Sequence, residues 1–329
     1  MPRLRPRADP LALAPTYVCA MTTQDMSPQT GRPEWTDLEV RGLRRDFGEV
    51  RAVDGVSFRV PAGALTGFVG GNGAGKTTTM RMVMGVLSIT AGEVLWGGRP
   101  ITQADRRQLG YMPEERGLYP KQPVLDQLIY LGRLRGMSTA QARTSVMSHL
   151  ERLGLADRSR EHVEKLSLGN QQRVQIIAAL MGRPRGLVLD EPFSGLDPEA
   201  VDSMADLLRE HTSRGVPVLF SSHQLDLVER LCEHLVVLAR GKVVSTGTPE
   251  QLRSASVARH RLVLSGDAGW VRDLAGIHTV DIDGGVALLE LLDPGAERAL
   301  LTEALRRGEV HEFSPQRPSL AQIYREVTA

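Results

Sequence analysis

Eight consecutive residues constrain this chain more than any others: Gly70-Gly71-Asn72-Gly73-Ala74-Gly75-Lys76-Thr77. They fit the phosphate-loop pattern GxxxxGK[ST] and carry two further glycines inside it. Glycines let a backbone curl with its N–H groups turned inward around a polyphosphate, where a Cβ would obstruct the ligand. An apolar strand is expected before the loop (Leu65 to Val69) and a helix after it, starting near Gly75 and carrying Met80 to Leu87. The N-terminal end of that helix presents partial positive charge to the same anion. Lys76 can reach the β- and γ-phosphates, and the Thr77 hydroxyl can ligate Mg²⁺.

A second segment supplies the complementary chemistry. Leu187-Val188-Leu189-Asp190-Glu191 reads as an apolar strand ending in two carboxylates. At the C-terminal end of a strand in an α/β sheet, side chains project into the ligand crevice, and alternation gives neighbours different directions. Asp190 is therefore expected to hold Mg²⁺, directly or through water. Glu191 is expected to orient and deprotonate an attacking water.

Around these segments, short apolar strands (186–190, 217–221, 235–239) alternate with helix-like stretches (about 123–135, 139–153, 170–181, 198–213 and 224–232). This alternation predicts a mostly parallel sheet covered on both faces. Strand-like Leu38 to Val40 and Val53 to Val60 suggest a small antiparallel β-subdomain in front of it. The length of 329 residues suits two domains. Small and polar residues from Ser254 to Arg259 mark a linker, and residues 260–329 follow a β-α-β-β-α-β order with a terminal helix from Ser319. That order is ferredoxin-like. The expected division is thus an extension over 1–33, a nucleotide-binding α/β domain over 34–254, and an α+β accessory domain over 260–329.

The extension is rich in Pro and Arg, and the apolar patch at Leu11 to Ala14 is too short and too interrupted for a signal peptide. It is expected to be disordered, with Met21 and Met26 as alternative start sites. Elsewhere, 41% hydrophobic and 24% charged residues describe a globular protein rather than a disordered one. A net charge of +1 offers no bulk attraction for nucleic acid, so none is expected as a partner. No apolar run is long enough for a transmembrane helix. Two cysteines, Cys19 and Cys232, without a CxxC pair, suggest a reduced cytoplasmic setting and no cysteine-held metal.

Leu166-Ser167-Leu168-Gly169-Asn170-Gln171-Gln172 resembles the LSGGQ signature of ATP-binding-cassette (ABC) ATPases, and further motifs fall in that family's order. The resemblance spans roughly residues 36–254. It implies a P-loop NTPase cassette with antiparallel and helical subdomains. It also implies nucleotide contacts from Phe47 (stacking on adenine), from Gly70 through Thr78, including Gly71, Asn72, Gly73, Ala74, Gly75, Lys76 and Thr77, and from Ser167, Gly169 and Asp197. Mg²⁺ would be held by Thr77, Asp190 and Glu114, and catalysis carried by Glu191, His223 and Lys76. In this family the signature of one subunit caps the γ-phosphate on the P-loop of another, which implies a head-to-tail dimer of two copies. Asp197, in Ser194-Gly195-Leu196-Asp197, would couple the two sites, and His223 would contact the γ-phosphate and the Glu191 region.

Three departures from the family pattern stand out. Gly71 replaces the usual Pro of the loop, Leu168 and Asn170 replace signature residues, and Glu114 occupies the glutamine position of the Q-loop. Glu114 keeps an oxygen ligand but adds negative charge beside the polyphosphate. The string Pro113 to Tyr119, the signature variant and the Pro318-Ser319-Leu320 and Ile323-Tyr324 ending resemble the single-cassette ATPases of ABC-2-type exporters. That implies an ATPase that energises a separate permease and sits on the inner face of the cell membrane through it. The region from Gln122 to Leu153 would receive the permease. The competing expectation, a non-transport ABC ATPase acting on a macromolecule, fits less well. Ribosome-acting members resemble two cassettes in one chain, and only 91 positions separate Lys76 from Ser167, too few for the long coiled coil of DNA-repair members.

Overall fold

The computed structural model describes residues 36–115, 117–255, 258–316 and 319–328. The expected N-terminal extension and its alternative start sites lie outside the described residues.

The chain opens with a hairpin, β1 (Leu38–Phe47) and β2 (Val50–Val60). Next, β3 (Leu65–Gly70) runs through the glycine-rich loop into α1 (Lys76–Val83), which ends earlier than Leu87. The strands β4 (Ala91–Trp96) and β5 (Arg99–Pro100) return to the hairpin to give an antiparallel sheet ordered β2-β1-β4-β5. A short helix α2 (Gln103–Arg106), capped by Thr102, leads into β6 (Leu109–Met112). A helical region follows, with α3 (Val124–Leu134), α4 (Thr139–Arg152) and α5 (Leu168–Leu180). The cassette closes with β7 (Gly186–Leu189), α6 (Pro198–Ser213), β8 (Val218–Ser222), α7 (Leu225–Leu231), β9 (His234–Ala239), β10 (Lys242–Gly247) and α8 (Pro249–Ala255).

The second sheet has the order β10-β9-β3-β8-β7-β6, parallel throughout except for the edge strand β10. All residues of β3, β7 and β8 are buried, which is why these strands read as continuous apolar runs rather than alternating ones. Because β8 lies between β3 and β7, the C-terminal ends of these three strands stand side by side. The P-loop, the Asp190-Glu191 pair and His223 leave from those ends. Ligands of open α/β sheets bind at such edges. Helix α7 approaches β3 closely enough that a Cβ on Gly67 would collide with Val228 and Cys232, so the strand carries glycine there.

Beyond the cassette, β11 (Arg259–Leu264), β12 (Ile277–Asp283), β13 (Val286–Leu291) and β14 (Val310–Gln316) form an antiparallel sheet ordered β12-β13-β11-β14, with α9 (Ala296–Arg307) between β13 and β14 in the chain. This is the ferredoxin-like strand order, with its own core of Leu262, Leu289 and Leu300. The first helix expected here is a short 3₁₀ turn, Gly269–Asp273, because three glycines or aspartates in seven residues deny it a propagating turn. The terminal helix α10 (Leu320–Thr328) does not cover this sheet. It packs on α7, α8 and β10, and Ile323 and Tyr324 join the apolar core of the cassette.

Candidate functional site

Gly75 holds φ at +102°, and a Cβ there would meet the Ala52 carbonyl of β2 at 2.8 Å, so only glycine lets the loop turn into α1 against the hairpin. The loop is closed by Ala74 N–H donating to Gly71 O (3.2 Å) and tied outward by Gly241 N–H donating to Ala74 O (3.0 Å). Lys76 is buried, and its Nζ donates to Gly70 O (2.7 Å) and Gly71 O (3.2 Å). The lysine charge thus lies folded over the loop, against the glycines that would cradle phosphate.

Asp190 follows β7 and is fully buried. Its N–H donates to Met112 O of β6 (2.8 Å), and its Oδ1 accepts from the Ser221 hydroxyl of β8 (2.5 Å). Its Oδ2 is buried without a protein hydrogen bond. Burial pushes the Asp190 carboxyl above its ordinary value, against the Ser221 hydrogen bond and the nearby Thr77 hydroxyl, and the Glu114 charge adds to the rise. Thr77 Oγ1 in turn donates to Glu114 Oε2 at 3.2 Å. Two carboxylates and a hydroxyl therefore converge from β7, the Q-loop position and α1. This is a hard-oxygen set, incomplete as an all-protein cage, and it fits a small divalent cation that shares its remaining positions with phosphate oxygens and water. Among the described residues, no three His, Cys or acidic side chains cluster as a self-sufficient metal site.

Glu191 takes φ +50°, an unusual value for a residue with a side chain. Three contacts impose it. Its N–H donates to Ser221 Oγ (2.8 Å), its carbonyl accepts from Gln172 Nε2 (2.7 Å), and its Oε2 pairs with His223 Nδ1 (3.0 Å). In this strained backbone conformation the carboxylate meets His223. Ser221, Gln172 and Gln175 are the site residues that motif reading did not assign. Gln175, also on α5, donates to Pro113 O (2.6 Å) and Glu115 O (3.3 Å) and so anchors the Q-loop segment.

The signature residues form a second group. Ser167 caps α5, accepting from Asn170 N–H at 3.3 Å, and is exposed together with Leu168. Gly169 lies against the Gly195 carbonyl, where a Cβ would come within 2.9 Å. Asp197 caps α6 by accepting from Ala200 N–H (2.8 Å) and pairs with Arg173 (3.3 Å). Among the described residues no hydrogen bond joins Ser167, Gly169 or Asp197 to Gly70–Thr78. Phe47 sits at the β1–β2 turn, half exposed, with the Arg45 guanidinium over its ring at 4.7 Å.

Residues 53–194 match the family described as ABC transporter, and residues 247–328 match the C-terminal domain of DrrA1-3-like ATP-binding proteins. The ABC transporter ATP-binding protein YhaQ of Bacillus subtilis (strain 168) is 38% identical over 290 residues, spanning 88% of this chain and 97% of the relative. The chain belongs to the ABC transporter ATP-binding protein family. Nod factor export ATP-binding protein I of Paraburkholderia xenovorans (strain LB400) is 32% identical over 88% of the chain and 92% of its own length. A solved ATP-binding subunit of an ABC transporter superposes with a TM-score of 0.61 at 31% identity, covering 66% of this chain and 92% of that one. The ABC protein is thus an ATP-binding, ATP-hydrolysing subunit of a transporter, built on the P-loop cassette.

Proposed function

We propose that this ABC ATPase powers an exporter through a partner membrane component, as a dimer of two copies with ATP and Mg²⁺ at composite sites. The observation that carries the hydrolytic reading is the Glu191 carboxylate, paired with His223 directly after Asp190 at the end of β7. The loop N–H groups from Asn72 to Thr78 receive the phosphates, Gly70 and Gly71 shape the turn that leads into them, and Lys76 exchanges its carbonyl partners for phosphate oxygens. Glu191 orients a water toward the γ-phosphate and takes its proton, while His223 fixes the carboxylate in that direction. Thr77, Asp190 and Glu114 would hold Mg²⁺, which supplies charge neutralisation across the β- and γ-phosphates. Phe47 offers its half-exposed ring to adenine.

Exposed Ser167 and Leu168, with partly buried Gly169, complete the site of the other copy, with Asp197 beside that junction. Such closure on the γ-phosphate is a two-state switch. Export, rather than import, is supported by the relatives named for Nod factor export and linearmycin resistance and by the DrrA1-3-like C-terminal match. Half-exposed Tyr130 on α3, with half-exposed Tyr119 in the loop before that helix, offers an aromatic surface for the membrane component. No described helix is long and apolar enough to cross a membrane. Association with the inner face of the cell membrane therefore runs through the partner. Affinity capture on tagged Glu191→Gln protein with ATP, in its own cells, should recover one multi-spanning membrane protein. Recovery of ribosomal or DNA-associated proteins instead would overturn the transporter reading.

A further inference from the structure

The last helix reaches the nucleotide loop directly. Tyr324 of α10 places its hydroxyl 2.7 Å from the backbone N of Gly71, whose N–H donates to it. These residues are 253 positions apart, so the contact is tertiary and joins the C-terminal segment to the P-loop. We propose that Tyr324 is a positioning residue of the ATP site, fixing the first turn of the P-loop so that the loop is already shaped for phosphate.

Four observations converge on this. Gly71 has an N–H to offer because it is not proline, and a Cβ at this position would come within 3.1 Å of the tyrosine hydroxyl, so the loop and the ring are fitted to one another. The Gly71 carbonyl accepts from both Ala74 N–H and Lys76 Nζ, so the residue that Tyr324 holds is the one that closes the loop and parks its lysine. The tyrosine is itself fixed. Ile323 is buried in the cassette core, and α10 starts from a reciprocal cap in which Ser319 Oγ accepts from Gln322 N–H while Gln322 Oε1 accepts from Ser319 N–H. Finally, α10 packs against α7, the helix that follows His223, so one helix touches both the loop and the switch side of the site. A loop held in advance spares the nucleotide part of the ordering that binding would otherwise require. Tyr324 therefore acts through Gly71, without touching ATP.

This inference rests on the ATP-binding role of the loop, and the test separates the two. Affinity of the full chain for a fluorescent ATP analogue with Mg²⁺ is measured for wild type, Tyr324→Phe, Gly71→Pro and the double variant. Tyr324→Phe keeps the ring and its packing but removes the acceptor; Gly71→Pro removes the donor. Each single variant should bind roughly three- to tenfold more weakly, the range of one net hydrogen bond. The loss should appear in KM for ATP more than in kcat, and the double variant should lose no more than the weaker single, because both remove the same bond. Circular dichroism of the nucleotide-free variants checks that each is folded. Wild-type affinity in Tyr324→Phe, or losses that multiply in the double variant, would overturn the inference alone. A wild-type chain that binds no nucleotide would overturn the ATP-binding reading and the inference with it.

Discussion

The two halves of the proposed nucleotide site are built in opposite ways. The P-loop half is knitted from within around buried Lys76 and Asp190: Lys76 on the loop carbonyls, Asp190 on Ser221 and Met112, Glu191 on Gln172, Ser221 and His223. The signature half begins with Ser167 and Leu168 exposed at a helix N-terminus, the Ser167 hydroxyl bonded only weakly, at 3.3 Å, to its own helix. The first half is organised to hold a ligand by itself. The second presents donors at a helix N-terminus, where an anion is favoured, with nothing of the same P-loop beside it. In the proposed composite site the contrast is that of one half held by its own chain and one half offered to the other copy's phosphate.

The comparison breaks most easily at Lys76. Lys76→Ala should lower ATP turnover on the order of 100-fold or more, since it removes the cation aimed at the developing phosphate charge. Steady-state phosphate release measures this, and near-normal turnover would remove the loop from the site. Ser167→Arg should act on the other half alone. ATP binding by the single copy should stay within about twofold, while ATP-driven pairing is lost, at about 1 kcal/mol of helix-cap stability. Equilibrium binding and light scattering separate the two effects.

Smaller changes sharpen the contrast. Ser221→Ala strips buried Asp190 Oδ1 and the Glu191 N–H of their partner and should cost roughly 1–3 kcal/mol in denaturant unfolding. Ser167→Ala, at an exposed cap, should cost about 1 kcal/mol or less. Equal costs would mean that the two halves are equally organised. Smallest in effect is Cys232, whose thiol is pushed well above its ordinary pKa by burial between α7 and β3, with the Glu233 charge adding to the rise. In a Cys19→Ser background it should resist iodoacetamide at pH 8 until denaturant is added. The neutral thiol is favoured in the folded state, so its contribution to stability is intact below the ordinary thiol pKa. That contribution is lost as pH rises from there toward the raised value. Rapid labelling of native protein would show that α7 is loosely held.

The knitted half was the more legible in sequence wherever function is carried by consecutive residues. Gly70 to Thr77 and Asp190-Glu191 declare themselves because backbone shape and strand ending are local matters. The partners that hold them are not local. Ser221 sits within an unremarkable apolar strand, and Gln172 and Gln175 lie on a helix whose pattern speaks only of packing. Their roles arise from β8 lying beside β7 and from α5 packing on β6 and β7. The strands β4 and β6 carry no strand signal of their own, because Gly92 and Glu93 break the alternation in one and Gly110 interrupts the other. A Cβ on Gly110 would strike Ala179 O and Leu187, a reason visible only once the helix and strand are together. The destination of α10 was hidden likewise: its sequence announces an amphipathic helix and says nothing of which core it joins.

The claim that the two halves belong to different copies is tested most directly by the mass of Glu191→Gln protein in analytical ultracentrifugation, with and without ATP. Loss of the base while the binding groups remain should leave ATP bound and unhydrolysed. The protein should then sediment as a dimer with ATP and as a monomer without it, and Ser167→Arg in the same chain should return it to a monomer. A monomer that demonstrably carries ATP would contradict the composite site.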